Sequence, residues 1–357
     1  MNDFFKKLLL RRTQSNFGRK LFFSVVYTIL ILYYLWLIPA VYFLNLPWNW
    51  LRTTLACIFA LGIPAALIIF RKNKHSLWGI AGVCLFFGIW FSLIPPSNKR
   101  NWTKDVAVLP SITFNGDEVT IKNIRHFKYR GEHDFIPSYY DAVFNLNDLQ
   151  GADYVLSYWD NNTLVAHSML SFGFKDGRHI CVSVETRREK GEPQTGLRGI
   201  YNQYELIYII ADESDLLLLR TNHRGEQVYV YPLHPKKPEN IRKVFVEILR
   251  QAQQLEKHPQ FYNTLRDNCF TTLLQDVRRV TGNPAYTDYR VLLNGLSDEL
   301  GYEKGWFETG GMSFSEFKRT HHINQYVVND PEPEKNFSKK IRPYMQKKSE
   351  KEEDKNR

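Results

Sequence analysis

The first hundred residues alternate between long apolar runs and short polar breaks, and the remainder of the chain does not. Leu21–Leu44 is almost wholly apolar, Thr53–Phe70 is an uncharged apolar run, and so is Ser76–Ile94. At ~1.5 Å rise per residue, each crosses or nearly crosses a hydrocarbon core about 30 Å thick. One such run reads equally well as a buried core helix. Three in succession, separated only by short polar punctuation, read as membrane spans. The first is too long for the apolar core of a cleaved signal peptide, and two more follow it. Pro39 and Pro47 near the end of the first run, and Pro95-Pro96 after the third, mark where helices are expected to stop.

Beyond residue 97 the pattern changes to short runs rich in β-branched and aromatic residues. Asp117–Ile124 and Tyr154–Trp159 predict strands. Leu164–Phe174 and Arg178–Thr186 flank Lys175-Asp176-Gly177, a three-residue hairpin loop with glycine where a left-handed conformation is needed. Tyr204–Ile210, Leu216–Arg220 and Gln227–Tyr231 continue the strand pattern. After Pro238, residues Ile241, Val244, Phe245, Ile248, Leu249, Ala252 and Leu255 fall at helical spacing and form one apolar face. A second helix is predicted from near Asn268 to about Val280, with Phe270, Leu273, Leu274 and Val277 inward. The predicted organisation is a basic N-terminus (1–20), three spans (21–96), an extracytoplasmic domain (97–330) and a charged, disordered tail (331–357).

Charge decides how this organisation is oriented. The chain carries 47 Lys+Arg against 37 Asp+Glu, a formal net charge of +10. That excess invites a nucleic-acid reading, but it sits at the ends: residues 1–20 are net +5, residues 335–357 net +5, and residues 97–334 net −4. A phosphate-tracking groove needs clustered Lys and Arg on one face, so nucleic acid is excluded as a partner. Six basic residues precede the first span and Arg71, Lys72 and Lys74 lie between the second and third, whereas only Arg52 lies between the first and second. The positive-inside rule places the N-terminus in the cytoplasm and everything after Pro96 outside, in the periplasm or its equivalent.

Candidate chemistry concentrates around one of the four cysteines. Cys57 and Cys84 lie in apolar spans, and Cys181 lies in a strand, where it reads as a small hydrophobe. An exported domain leaves open a Cys181–Cys269 pairing. Cys269 follows Asp267-Asn268, either of which is a good N-cap, so its thiol falls in a first helical turn. There the helix dipole and free N–H groups lower a thiol pKa and can serve as an oxyanion hole. His167 supplies a base. With the three-residue loop setting the register, residue 174 faces 178 and 167 faces Glu185, a carboxylate able to orient the imidazole. His179 lies near the turn, and His321-His322 has no partner motif and reads as surface. There is no phosphate-cradling glycine loop and no metal-spaced cluster, so no cofactor or metal is expected.

Several separated segments resemble the periplasmic domain of the Lnb-type lipoprotein N-acyltransferases. They are Trp102–Ala107, Asn123–Arg130, Ser157-Tyr158-Trp159, His167–Phe172, Val182–Glu189, Tyr204–Ile207 and Phe261–Thr272. The order His before Cys, with a strand hairpin first and a nucleophile helix later, also resembles circularly permuted papain-like acyltransferases. The lecithin:retinol acyltransferase group, which places Asn directly before the Cys, is one of these. The resemblance implies an α+β fold in which three N-terminal transmembrane helices precede a papain-like domain of antiparallel sheet plus nucleophile helix. It implies a thiol acyltransferase with Cys269 as nucleophile, His167 as base and Glu185 as orienter. A membrane phospholipid is then the acyl donor and a lipoprotein N-terminus the acceptor. Two other readings compete: a papain-like cell-wall amidase or peptidase, and a catalytically silent membrane-anchored binding module.

Overall fold

A computed structural model describes residues 2–159, 162–282 and 287–343, with side chains described from residue 17 onward. The chain forms two compact units, Met1–Pro95 and Pro96–Arg357.

In the first unit three helices are long and apolar enough to cross a membrane: Phe17–Tyr42, Asn49–Ile69 and Lys74–Ser92. The first belongs to a helix that begins at Asn2 and continues through Pro39, so that proline does not end it as expected. The second contains a π-helical stretch, Ile58–Gly62. There the tyrosine hydroxyl of Tyr34 donates to the Phe59 carbonyl at 2.8 Å, joining helices one and two, and Tyr33 donates to the Cys84 carbonyl at 3.0 Å, joining helices one and three. Asn73 caps the third helix by accepting from the His75 and Ser76 amides. Leu61, Ile68 and Ile69 stay exposed, as lipid-facing side chains would.

The second unit is built on an antiparallel sheet. Its strands are β1 (Ser111–Asn115), β2 (Glu118–Arg125), β5 (Tyr139–Asn145), β6 (Leu149–Tyr158), β7 (His167–Phe174), β8 (His179–Arg187), β9 (Glu205–Asp212) and β10 (Gln227–Pro232). A small separate pair is formed by β3 (Lys128–Tyr129) and β4 (Phe135–Ile136). The spatial order is β1-β2-β9-β8-β7-β6-β10, with β5 also on β2, and among the described residues the one parallel pairing is a single bridge, Arg125 to Ala211.

Alternation along the central strands sends side chains to two cores. On one face Leu170, Phe172, Val182 and Val184 pack with two amphipathic helices, α2 (Glu239–Lys257) and α3 (Cys269–Thr281), after a short α1 (Glu213–Leu218). The inward face of α2 is Val244, Phe245, Ile248, Leu249, Ala252 and Leu255, the expected stripe with Ile241 at its margin. On the other face Met169, Cys181, Ile207 and Ile209 pack with Leu216 and Leu217 of α1 and with Ile323, Val327, Phe337 and Ile341.

Three expectations need correction. Leu216–Arg220 is not a strand but the end of α1 running into a π turn, Leu219–His223. A run of four leucines has no period of its own, and the acidic Glu213 and Asp215 in the first turn favour helix. The segment from 331 is not wholly a solvated tail. Phe337–Lys340 is helical, Phe337 and Ile341 are buried, and Arg342 is 3 % exposed, while residues 344–357 lie outside the described residues. His321 is buried rather than on the surface, with Nδ1 2.7 Å from the Phe317 carbonyl, and His322 is half-buried, stacked on Tyr229.

Candidate active site

The β7–β8 hairpin sets the site. Gly177 takes φ +84°, and the Phe174 amide donates to the Arg178 carbonyl at 2.9 Å. The register then runs through Phe172–Ile180, Leu170–Val182 and Met169–Ser183. Continued to the strand ends, that register puts His167 opposite Glu185, and the side chains meet: Nε2 lies 3.1 Å from Glu185 Oε1.

A hydroxyl stands between them. Ser183 Oγ is 2.6 Å from His167 Nε2 and donates to Glu185 Oε1 at 2.7 Å. Because its proton is committed to the carboxylate, Ser183 must accept from Nε2–H, which fixes the tautomer and leaves Nδ1 for the thiol. Arg220, presented by the π turn and 3 % exposed, donates from Nη2 to the same Glu185 oxygen at 2.9 Å.

Cys269 is the first residue of α3 and is 6 % exposed. Asn268 is its N-cap. The side-chain oxygen accepts from the Phe270 and Thr271 amides at 3.0 and 2.9 Å, and Thr271 Oγ1 accepts from the Asn268 amide at 2.9 Å. The preceding turn is tied by Asn263, whose Oδ1 accepts from the Leu265 and Arg266 amides. The cap changes the oxyanion expectation. Phe270 and Thr271 have spent their N–H groups on Asn268, which leaves the Cys269 amide, and that amide bonds to the Tyr262 hydroxyl.

Electrostatics follow from this packing. Burial alone would raise the Cys269 thiol, but the imidazolium of His167 and the Ser168 amide outweigh it and bring the thiol below its ordinary value. Burial would likewise depress His167, and the Glu185 carboxylate and Cys269 overcome it, lifting the imidazole to about 9 against the opposing charge of Arg220. Glu185 is held well below the usual carboxylate range: His167, Arg220 and Ser183 override the cost of burying it. The arrangement favours a thiolate–imidazolium pair with its counter-carboxylate in place.

The structure thus brings Cys269, His167 and Glu185 together. Sequence reasoning missed Ser183, Arg220, Tyr262 and Asn294. Asn294 clamps the start of β7, accepting from the Ala166 amide at 3.1 Å and donating to its carbonyl at 2.6 Å, with Nδ2 3.8 Å from Cys269 Sγ. Of the four, only Ser183 carried a usable signal, two positions from Glu185 on the same strand face. Cys181 is a free, buried thiol in the core on the opposite sheet face from Cys269, which is also free, so the two are not paired. His179 sits at the turn end of β8, opposite Gly173, away from the site.

No curated protein and no solved structure matches the chain. Residues 136–295 match the family described as the Lnb N-terminal periplasmic domain, a stretch that contains His167, Glu185, Cys269 and Asn294. The family that the separated motifs resemble is therefore the family of this region: residues 136–295 are an Lnb N-terminal periplasmic domain, carried by a chain with three helices suited to a membrane.

Proposed function

We propose that the protein is a thiol acyltransferase of lipoprotein processing, moving a fatty acyl chain from a membrane phospholipid through Cys269 to an amine. The observation that carries this reading is the juxtaposition of a depressed thiol, a raised imidazole and a counter-carboxylate at one helix N-terminus. The Lnb match supplies the link to lipoproteins and a periplasmic setting, and the three apolar helices supply the membrane.

The Cys269 thiolate attacks the ester carbonyl of the lipid. The Tyr262 hydroxyl, which accepts from the Cys269 amide and keeps its own O–H, is the donor available to the oxyanion, since the next two amides are taken by Asn268. As the carbon–oxygen bond breaks, the His167 imidazolium gives its proton to the lysophospholipid alkoxide. The acceptor amine then attacks the thioester, the carbon–sulfur bond breaks, and His167 takes the amine proton. Splitting the transfer in two steps lowers each barrier. By this reading the acceptor is a lipoprotein N-terminus, the fold of the domain is a permuted papain-like one, and the N-terminus of the chain is cytoplasmic.

The test is to incubate the protein in membranes with acyl-labelled phospholipid and look for hydroxylamine-sensitive label. Label lost in Cys269→Ala supports the proposal; label retained overturns it. Acylation by a peptide-stem substrate instead would favour an amidase.

A further inference from the structure

The first turn of α3 does not supply the oxyanion donors expected of a thiol at a helix start. Asn268 takes the Phe270 and Thr271 amides, and the Cys269 amide goes to the Tyr262 hydroxyl. Within the segment that carries the nucleophile, one hydroxyl is left for the charge that builds on a reacting carbonyl oxygen. A buried oxyanion with a single donor is poorly stabilised, because water is excluded and unmet charge is costly there. A second donor stands on a different loop.

Asn294 opens the 3-10 turn Asn294–Leu296, 25 positions after Cys269, and is 5 % exposed. Its side-chain amide bonds twice to the backbone of Ala166: Oδ1 accepts from the N–H at 3.1 Å, and Nδ2 donates to the carbonyl at 2.6 Å. These two bonds fix the orientation of the amide, since a flip would set N–H against N–H and oxygen against oxygen. Nδ2 carries two hydrogens. One is engaged by the Ala166 carbonyl, and among the described residues the other has only the Cys269 sulfur to meet, at 3.8 Å. The oxygen of a carbonyl bonded to Sγ stands two bonds out from the sulfur. A donor set back from the sulfur can therefore meet that oxygen at the ~2.7–3.1 Å an oxyanion hole requires.

The turn is held in place by bonds that do not use the Asn294 side chain. The Gly295 amide donates to the Leu164 carbonyl at 3.0 Å, and the Tyr158 hydroxyl donates to the Gly295 carbonyl at 2.6 Å. Ser297 Oγ donates to the Asn294 carbonyl at 2.5 Å, so it accepts from the Tyr154 hydroxyl at 2.7 Å. Tyr154 in turn accepts from the Ser168 hydroxyl at 2.8 Å. Ser168 follows His167, so this buried chain of hydroxyls ties the turn to the strand that carries the base. A donor fixed this firmly needs no reorganisation when charge appears on the oxygen.

We infer that Asn294 is a catalytic residue whose Nδ2–H is the second oxyanion donor, working with the Tyr262 hydroxyl. When Cys269 Sγ forms its bond to the acyl carbon, the carbonyl π pair moves onto oxygen and is held by these two donors. When that pair returns, the bond from the carbon to the leaving oxygen breaks. Asn294 gives up no proton at either stage. The inference rests on the thioester step of the acyltransferase reading and adds to it the group that stabilises that step.

The experiment compares two reactions of Cys269 in the full chain in detergent, each followed by mass spectrometry of the peptide that carries it. Acylation by p-nitrophenyl acetate builds charge on a carbonyl oxygen, and its phenolate leaves without a proton from His167. Alkylation by iodoacetamide displaces iodide from a saturated carbon and needs no oxyanion donor. The ratio of the two rates therefore reads oxyanion stabilisation, with the thiolate content common to both. In Asn294→Ala that ratio is expected to fall about a hundredfold. Asn294→Asp keeps an oxygen for the Ala166 amide and loses Nδ2; it is expected to lower the ratio similarly and decides the matter if the alanine variant fails to fold. A merely structural role would displace His167 and slow both reactions together, so an unchanged ratio overturns the inference. Absence of acylation in the unsubstituted protein overturns acyl chemistry at Cys269, and the role of Asn294 with it. A fallen ratio with no acylation from labelled phospholipid supports the role of Asn294 and overturns the lipid reading.

Discussion

His167 and Glu185 stand 3.1 Å apart across the β7–β8 hairpin, with the Ser183 hydroxyl bonded to both. The carboxylate is the main reason the imidazole is lifted to about 9, since burial pulls the other way. Removing its charge should undo that. In Glu185→Gln the imidazole falls from about 9 toward its ordinary value near 6.5, and the thiol loses the imidazolium that lowers it. Iodoacetamide alkylation of Cys269 at pH 7 is expected to slow about tenfold or more. An alkylation rate equal to the unsubstituted protein's would show that Glu185 does not set the pair.

The same shift fixes a pH window. The folded His167 is raised, so its contribution to stability is complete below the unfolded value of about 6.5 and is lost as pH rises through about 9. The lowered thiol works in the opposite sense: its contribution is present above the unfolded value and is lost as pH falls through the folded one. Acylation of Cys269 by p-nitrophenyl acetate is therefore expected to lose its imidazolium-dependent component as pH rises through about 9. A profile rising unbroken to pH 11 would contradict the ion pair.

Arg220 has a clear energetic role. Its guanidinium is buried on Glu185, and the neighbouring Glu226 carboxylate lies 3.8 Å from Nε. Arg220→Met takes the buried cation from Glu185, which keeps His167, and from Glu226, which keeps Arg224 at 3.6 Å, and is expected to cost roughly 2 kcal/mol of stability. It should also raise His167 further, because Arg220 opposes that shift. Thermal unfolding of the purified protein, together with the pH profile of alkylation, measures both effects.

Gly295 tests the clamp between loops. A Cβ built there would meet the Thr163 carbonyl oxygen at 2.3 Å, a backbone atom that cannot turn aside. Gly295→Ala is expected to push the Asn294 loop from Ala166 and to reduce Cys269 acylation about tenfold, since displacement of about 1 Å at a reacting pair costs up to a hundredfold. Acylation at the unsubstituted rate would show that the clamp does not position the pair.

Arg342 tests the C-terminal segment. It is 3 % exposed and binds Asp153 at 2.7 Å and also Glu213, which accepts from Ser171 at 2.6 Å. Arg342→Ala leaves two buried carboxylates unpaired and is expected to destabilise the domain by roughly 3–5 kcal/mol. Chemical denaturation monitored by tryptophan fluorescence reads this directly.

The features legible in the sequence are those that local periodicity and turn chemistry encode. The three apolar helices, the Lys175-Asp176-Gly177 turn, the amphipathic face of α2 and the Asn268 cap each depend on residues within a few positions of one another. Because the side-chain period of a strand is two, the turn alone carried the register as far as His167 and Glu185. The leucine run in α1 had no period to read, and its helical state was decided by the core into which Leu216 and Leu217 pack.

The tertiary structure decided which distant groups complete the pair. Arg220 reaches Glu185 across 35 positions, Asn294 reaches Cys269 across 25, and Arg342 reaches Asp153 across 189. Each comes from a turn or a short helix whose local pattern signals no partner. A buried ion pair or a loop clamp forms only when the packed sheet and helices remove water from between groups that the chain itself holds far apart.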